Sequence, residues 1–191
     1  MVTKKMPAPK RVGDDLMADL ETLGRGPGCV VLSIGAVFFG PSGLGAEFEL
    51  FVNVADSLNQ GLTKDPETEA WWGRQSEAAR QTLRKAETSP HTLHDALGAF
   101  SAFCLQHSSK AQLKLWGNGA SFDNAIVAYL YKAAGMDPPW NFWNDRCYRT
   151  LKALASPQIR PAESGVLHNA LDDAKRQADH AQRILTAAGA W

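Results

Sequence analysis

The stretch LMADLETLG, from Leu16 to Gly24, places two carboxylates inside a run of apolar residues. Residues two apart in a β-strand point to the same face, so Asp19 and Glu21 lie side by side while Ala18 and Leu20 face a core. Two like charges about 7 Å apart on a mostly buried strand are unfavourable unless a cation binds them. The pattern therefore allows a cation site, or a strand that simply ends at Glu21 and meets solvent there.

Three strand-like segments begin the domain and predict an antiparallel meander. They are rich in β-branched and aromatic residues, are separated by the turn-forming segments GRGPG and GPSGLG, and span Asp15–Glu21, Cys29–Gly40 and Ala46–Val54. Further along, helices are predicted over 66–85, 92–107, 121–135, 146–155 and 169–189, and strands over 113–119 and 140–144. This order predicts an α/β fold with a mixed five-stranded sheet, three antiparallel strands then two parallel, flanked by helices.

Composition indicates a single globular domain over residues 15–191, preceded by a flexible basic tail over residues 1–14. The chain has 191 residues, 45% of them hydrophobic, and 20 basic residues balance 20 acidic ones. No apolar run approaches the roughly 18 residues of a membrane span, and no secretion signal is present, so we expect a cytoplasmic protein. The three widely spaced cysteines are expected to be reduced thiols. Neutral net charge does not exclude a nucleic-acid partner.

Two later segments place further acidic residues at predicted helix starts. Asp123 follows a predicted strand within NGASFDN, and HNALDDA sets His168 five residues before Asp173. Singly, each has an ordinary explanation, because carboxylates favour the first turn of a helix and a histidine can lie at a helix entry. Together with Asp19 and Glu21 they favour one shared site, and carboxylate oxygens suit Mg²⁺ or Mn²⁺.

These residues resemble the motifs of the DEDDh 3'-5' exonucleases, a family with a ribonuclease-H-like fold. The three motifs are D-x-E-T at residues 19–22, an aspartate after phenylalanine at residues 122–123, and H-x-A-x-x-D at residues 168–173. They occur in the family's order and span nearly the whole predicted domain. Within the family, the segments WWGRQS and WGNGASFDN are most similar to small stand-alone exonucleases of phages and prophages and to a related mycobacterial exoribonuclease.

The resemblance implies a metal-dependent 3'-5' exonuclease that hydrolyses single-stranded DNA or RNA ends to nucleoside 5'-monophosphates. Asp19, Glu21, Asp123 and Asp173 would hold two divalent cations, Mg²⁺ or Mn²⁺, about 4 Å apart. His168 would act as the general base, because an imidazole titrates near neutral pH. The phage-like segments favour DNA as the substrate, and the mycobacterial likeness favours RNA.

Six residues are predicted to contact the substrate: Thr22, Leu23, Trp71, Trp72, Asn118 and Phe122. Thr22 and Leu23 would line the terminal nucleotide's pocket, as the resemblance implies. Adjacent tryptophans on a helix diverge by roughly 100°, so one is expected in the core and the other at the surface, where it stacks on a base or contacts a partner. Phe122 fits a core position as well as a stacking one. Many relatives have an asparagine four residues before the second aspartate, whereas here Asn118 lies five before it.

Other functions are compatible with the same fold. One is a non-catalytic nucleic-acid-binding module, which is expected to lack at least one metal acid or the histidine, whereas this sequence keeps all five. Another is a proofreading module that acts only with a polymerase and needs a segment that binds it. A homodimer is also plausible from the resemblance and from an exposed tryptophan.

Overall fold

The first three strands form an antiparallel meander, and two later strands extend the sheet in parallel. The computed structural model describes residues 12–162, 165 and 168–191. Its strands are β1 Asp15–Thr22, β2 Val31–Gly40, β3 Gly43–Phe51, β4 Lys114–Gly117 and β5 Asp145–Cys147, in the order β3-β2-β1-β4-β5. β4 is parallel to β1, and β5 is parallel to β4. This topology confirms the predicted mixed five-stranded sheet.

Helices cover both faces of the sheet. They are α1 Val54–Asn59, α2 Pro66–Gly73, α3 Glu77–Glu87, α4 Leu93–His107, α5 Ala125–Ala133, α6 Tyr148–Leu154 and α7 Ala170–Ala187. Helices α1 to α5 pack on one face of the sheet and share a core with the β1 side chains on that face. Helices α6 and α7 pack on the opposite face and share a second core with the remaining buried side chains of β1. The sheet is therefore the middle layer of a three-layer α/β fold.

Strand β1 is buried on both faces, which explains why its two acids lie in a desolvated place. Leu16, Ala18 and Leu20 pack in the α1–α5 core, whereas Met17 packs in the α7 core. Because side chains alternate along a strand, Asp19 and Glu21 share the α7 face with Met17. The predicted core position of Ala18 and Leu20 is confirmed.

Helix α7 approaches the sheet closely because small residues line its contact. Its buried stripe includes Ala174, Ala178 and Ala181. On β2, Gly35 pairs with Asp19 in register. A Cβ added at Gly35 would lie 2.2 Å from the carbonyl carbon of Ala170. The first turn of α7 therefore lies directly against the sheet, next to the acids of β1.

Two predicted elements are wrong in their bounds. The helix over 66–85 is two helices, because α2 ends at Gly73 and the Ser76 side chain caps α3 by accepting a hydrogen bond from the Ala79 N–H at 3.2 Å. The strand over 140–144 is not formed; residues 142–144 make a 3-10 turn, and β5 begins at Asp145. There the Trp140 indole N–H donates to the Asp145 carboxylate at 2.9 Å.

The ends of other elements also differ from the predictions. Helix α1 was not predicted; it follows β3 and is capped by Asn53, whose side chain accepts from the Asp56 N–H. The helix predicted from residue 121 begins with a π-helical turn, Ala120–Asn124, that continues into α5. Residues 1–11 of the predicted tail lie outside the described residues, and Val12 packs against the core, so the tail boundary stays a prediction. None of the described helices is long and apolar enough to cross a membrane.

The contact between Gly35 and α7 can be tested by adding one methyl group. We expect Gly35→Ala to lower the free energy of unfolding by about 1–3 kcal/mol, because the new Cβ meets helix backbone that cannot move alone. Urea unfolding monitored by circular dichroism measures the change. Gly98→Ala is the matched control, because Gly98 lies within α4 with open space around it and alanine there favours the helix by up to about 1 kcal/mol. Equal stability of the two variants would contradict the packing argument.

Candidate active site

The carboxyl ends of the parallel strands β1 and β4 and the start of α7 bring the predicted acids to one edge of the sheet. Asp19 and Glu21 lie near the end of β1, Asp123 lies in the π-helical turn after β4, and Asp173 lies in the first turn of α7. Ligand atoms of Glu21, His168 and Asp173 all lie within 4.8 Å of one another. We refer to Asp19, Glu21, Asp123 and Asp173 as the acid cluster.

Asp123 is aimed at the end of β1 by the backbone around it. Its carboxylate accepts a hydrogen bond from the Asn118 N–H at 2.7 Å. A Cβ added at Gly117, the last residue of β4, would lie 2.8 Å from the Asp123 Cβ, so only glycine permits this close approach. Asp123 is 3% exposed, and its burial next to β1 places a third carboxylate beside Asp19 and Glu21.

The carboxylates of β1 and α7 are also fixed by hydrogen bonds. The Gln177 side-chain amide donates to Asp19 Oδ1 at 2.7 Å. On Asp173, Oδ2 accepts the His168 N–H at 3.2 Å, and Oδ1 forms an ion pair with Arg176 one turn later in α7. Contacts with neighbouring protein groups thus fix the orientation of the Asp19 and Asp173 carboxylates.

Burial among like charges makes these acids hard to ionise. Desolvation, followed by the charges of Asp123 and Glu21, raises the pKa of Asp19 well above its ordinary value. Desolvation and the Asp123 charge raise the pKa of Glu21 to about 8. Desolvation raises the pKa of Asp123 to about 6, against hydrogen bonds that lower it. Such a set of hard oxygen donors, short of positive charge, suits a divalent cation of the Mg²⁺ or Mn²⁺ type.

His168 is held in a backbone conformation that non-glycine residues seldom adopt. Its φ is 63°, and its carbonyl accepts the Thr82 hydroxyl at 3.2 Å. Its ring meets the Trp71 ring edge to face, with centroids 4.8 Å apart. Burial, together with the Arg176 charge, lowers the pKa of His168, which favours the neutral imidazole that a general base requires. Surrounding contacts therefore keep a strained residue in place.

The two tryptophans divide as the helical spacing predicts. Trp72 is 1% exposed, and its indole N–H donates to the Thr22 carbonyl at 2.9 Å. Trp71 is half-buried and lies between Trp72 and His168. One ring therefore fastens α2 to the end of β1, and the other contacts the candidate base. Stacking of either ring on a nucleobase stays a prediction.

A cavity of about 500 Å³ adjoins the acid cluster, and we call it the terminal pocket. Among the described residues that line it are Glu21, Thr22, Trp71, Trp72, Phe122 and Arg25. The pocket shares Glu21 with the acid cluster and Trp71 with the surroundings of His168. A ligand in the terminal pocket therefore lies next to the acid cluster and to His168. Four of the six predicted substrate-binding residues are in its walls.

The other two predicted substrate-binding residues lie elsewhere. Leu23 is 1% exposed and packs in the core, because an irregular register between Glu21 and Thr22 shifts the alternation of side chains at the end of β1. Asn118 orients Asp123 through its backbone N–H, and its carbonyl accepts the Arg149 guanidinium at 2.7 Å. The Asn118 side-chain oxygen is buried with no hydrogen-bond partner among the described residues.

Three residues at the site were missed by the sequence analysis: Thr82, Arg176 and Gln177. Arg176 and Gln177 follow Asp173 by three and four residues, which is the spacing that places helical side chains on one face. That spacing is a signal that was available in the sequence. Thr82 had no such signal, because its contact with His168 joins segments 86 residues apart.

The raised pKa of Glu21 predicts how the stability of the protein depends on pH when chelator removes divalent cations. Between the ordinary pKa of 4.5 and about 8, the folded protein keeps a proton on Glu21 that the unfolded chain has released. The Glu21 contribution to stability is therefore lost as pH rises through this window. We expect the melting temperature of Glu21→Gln to exceed that of wild type by an amount that grows from pH 5 to pH 8 in EDTA. Thermal unfolding followed by circular dichroism measures this difference.

The control for this experiment is Glu87→Gln, which changes an exposed carboxylate at the end of α3. Its melting temperature should stay at a constant offset from wild type across the same pH range. Parallel curves for Glu21→Gln and wild type would contradict the assigned burial of the Glu21 charge.

Solved structures similar to this chain are nucleases of low sequence identity, so they show the fold. The nuclease domain of 3'hExo, a DEDDh family member bound to rAMP, has a TM-score of 0.63 at 14% identity, over 92% of this chain and 93% of its own. Exonuclease X, in complex with 5' overhanging duplex DNA, has a TM-score of 0.57 at 16% identity, over 93% of both chains. E. coli Exonuclease I, in complex with a dA16 oligonucleotide, has a TM-score of 0.61 at 16% identity, over 91% of this chain and 40% of its own. All three confirm the predicted ribonuclease-H-like fold.

The family is settled by a match that covers most of the chain. No curated protein matches this sequence at a significant level. The model of the 3'-5' exoribonuclease Rv2179c-like domain matches residues 14–185. This match includes all three motifs and confirms the predicted class of enzyme, a 3'-5' exonuclease. The chain therefore belongs to the Rv2179c-like family of 3'-5' exoribonuclease domains.

Proposed function

We propose that this protein removes nucleoside 5'-monophosphates from the 3' end of single-stranded nucleic acid with the help of two divalent cations. The observation that carries this proposal is the meeting of the acid cluster, His168 and the terminal pocket at one edge of the sheet. RNA is the first substrate to test, since the matching family is described as exoribonuclease. The structural neighbours carry DNA or rAMP, which keeps DNA as the comparison substrate.

Asp19, Glu21, Asp123 and Asp173 would hold the two cations. When bound, such cations polarise the scissile phosphate and stabilise the charge of the leaving 3'-oxygen. The raised pKa values of Asp19 and Glu21 support this assignment, because bound positive charge would relieve the repulsion that opposes their ionisation. Mg²⁺ and Mn²⁺ both suit these ligands.

His168 would accept the proton of the attacking water. The water oxygen bonds to phosphorus, the bond from phosphorus to the 3'-oxygen breaks, and that oxygen leaves with a proton from solvent. A lowered pKa keeps the His168 imidazole neutral and able to accept a proton. Trp71 and the Thr82 hydroxyl would hold it in place through the reaction.

The terminal pocket would hold the last nucleotide. Trp71 and Phe122 offer ring surfaces for a base, and Thr22 lies at the junction with the acid cluster. Base stacking on an aromatic ring contributes about 1–3 kcal/mol without demanding a particular base. Arg74, also at the pocket, adds positive charge that favours a phosphate chain, whereas the Arg25 guanidinium already pairs with Asp65 and Glu67. The homodimer and the cytoplasmic location stay predictions.

The direction of digestion tests the proposed activity. Single-stranded RNA and DNA labelled at the 5' end should shorten stepwise, and the same strands labelled at the 3' end should release labelled mononucleotide at once, with Mg²⁺ or Mn²⁺ present. EDTA should stop both. Mononucleotide release from the 5' end would refute the proposed polarity. Binding of the strands without cleavage would refute the proposed activity and favour a binding module.

Neighbouring aspartates give a matched pair of variants for this assay. We expect Asp173→Asn to reduce hydrolysis to background, because it removes a carboxylate of the acid cluster. Asp172→Asn makes the same change one residue earlier in the first turn of α7, and it should keep most of the activity. Equal loss in both variants would indicate damage to the helix instead of loss of a ligand.

His168→Ala separates proton transfer from cation binding. We expect hydrolysis to fall by about 10²- to 10⁴-fold, which is the usual contribution of a general base. Titration of Mn²⁺ into this variant should still give nearly the wild-type affinity, because all four carboxylates remain. A variant that hydrolyses RNA at the wild-type rate would exclude His168 as the base.

A further inference from the structure

Arg176 places a positive charge inside the acid cluster. It lies on α7 one turn after Asp173, and its side chain is 15% exposed. It forms an ion pair with Asp173 Oδ1. Its charge also acts on two neighbours, because it opposes the rise in the pKa of Asp19 and contributes to the lowered pKa of His168. The guanidinium thus contacts Asp173 and acts electrostatically on two further residues of the candidate site.

Both oxygens of Asp173 already have protein partners. Oδ1 pairs with Arg176, and Oδ2 accepts the His168 N–H at 3.2 Å. A carboxylate that turns an oxygen towards a divalent cation must therefore share or release one of these partners. The His168 N–H belongs to a backbone that is held by the Thr82 hydroxyl and adjoins the start of α7, so it cannot be released by a change of side-chain rotamer. The Arg176 side chain is the partner that can move.

Charge considerations point the same way. A guanidinium near Asp173 and Asp19 offsets part of the negative charge that desolvation makes unfavourable. The same guanidinium repels any divalent cation that enters the cluster, and this repulsion is strong in a poorly solvated site. One residue therefore stabilises the cation-free protein and weakens its affinity for cations.

We propose that Arg176 is a built-in counter-charge that holds Asp173 in the cation-free protein and gives up this ion pair when divalent cations enter the acid cluster. The inference rests on the proposed two-cation site and adds a role to a residue outside the three motifs. Arg176 is a positioning residue, since it acts through Asp173. In the cation-bound protein its guanidinium no longer pairs with Asp173 Oδ1.

The test is calorimetric titration of Mn²⁺ into the purified full chain, without substrate. We expect Arg176→Gln to bind Mn²⁺ about 3- to 10-fold more tightly than wild type, because it removes both the competing ion pair and the repulsion. In EDTA the same variant should melt roughly 2–4 °C lower, because the acids lose their counter-charge. Arg176→Met, which keeps an unbranched apolar stem, should show the same two changes and serves if the glutamine variant folds poorly.

Arg183→Gln is the matched control. Arg183 forms an ion pair with Asp179 on the same helix, at 2.8 Å, with both side chains about two-fifths exposed. This variant should leave Mn²⁺ affinity unchanged. Unchanged or weaker Mn²⁺ binding by both Arg176 variants, with wild type binding normally, would overturn this inference alone. A wild-type protein that binds no Mn²⁺ would overturn the proposed function and this inference together.

Discussion

Carboxyl groups brought together at the edge of a sheet are hard to ionise without positive charge nearby, and the site is built around this constraint. Asp19 and Asp123 are desolvated and repel each other, and Glu21 shares their surroundings. The chain meets part of the cost with hydrogen bonds from Gln177 and the Asn118 N–H. The acids that these bonds leave uncompensated make this edge locally suited to cations, although the net charge of the whole chain is zero.

The topology explains how residues far apart in sequence meet. β1 and β4 are parallel, so both end at the same edge of the sheet, and the turn after β4 delivers Asp123 to the end of β1. Helix α7 starts at that edge and runs back across β1 and β2. Its depth is fixed by the contact between Gly35 and the backbone of residue 170. Close backbone packing thus helps to set the position of Asp173, together with its contacts to His168 and Arg176.

The residues of the acid cluster were predictable because each belongs to a short local pattern. Two acids at strand spacing and two at helix starts are visible without any tertiary information. Arg176 and Gln177 were missed because a polar side chain near a helix start is usually solvated, and only the rotation of α7 on the sheet turns this pair inward. The burial of Leu23 in the core could not be deduced from alternation, because the register is irregular after Glu21.

The break between α2 and α3 was likewise invisible to helical periodicity. Residues 74–76 carry no proline, and the break depends on a serine cap that competes with a continuous helix. This break has a functional consequence, because α2 supplies both tryptophans and α3 supplies the hydroxyl that binds the His168 carbonyl. In one continuous helix, the tryptophans and the Thr82 hydroxyl could not both reach His168 as they do here.

Trp71 is at once a wall of the terminal pocket and a neighbour of the His168 ring. A ligand that pushes on one face of the indole therefore presses on the imidazole at its edge. Occupancy of the pocket and reactivity of the base are not independent quantities in such an arrangement. Under the proposed mechanism, strands whose last base fills the pocket poorly would be cut more slowly even when they are bound as tightly, so that selectivity for the terminal nucleotide would lie in the turnover rate.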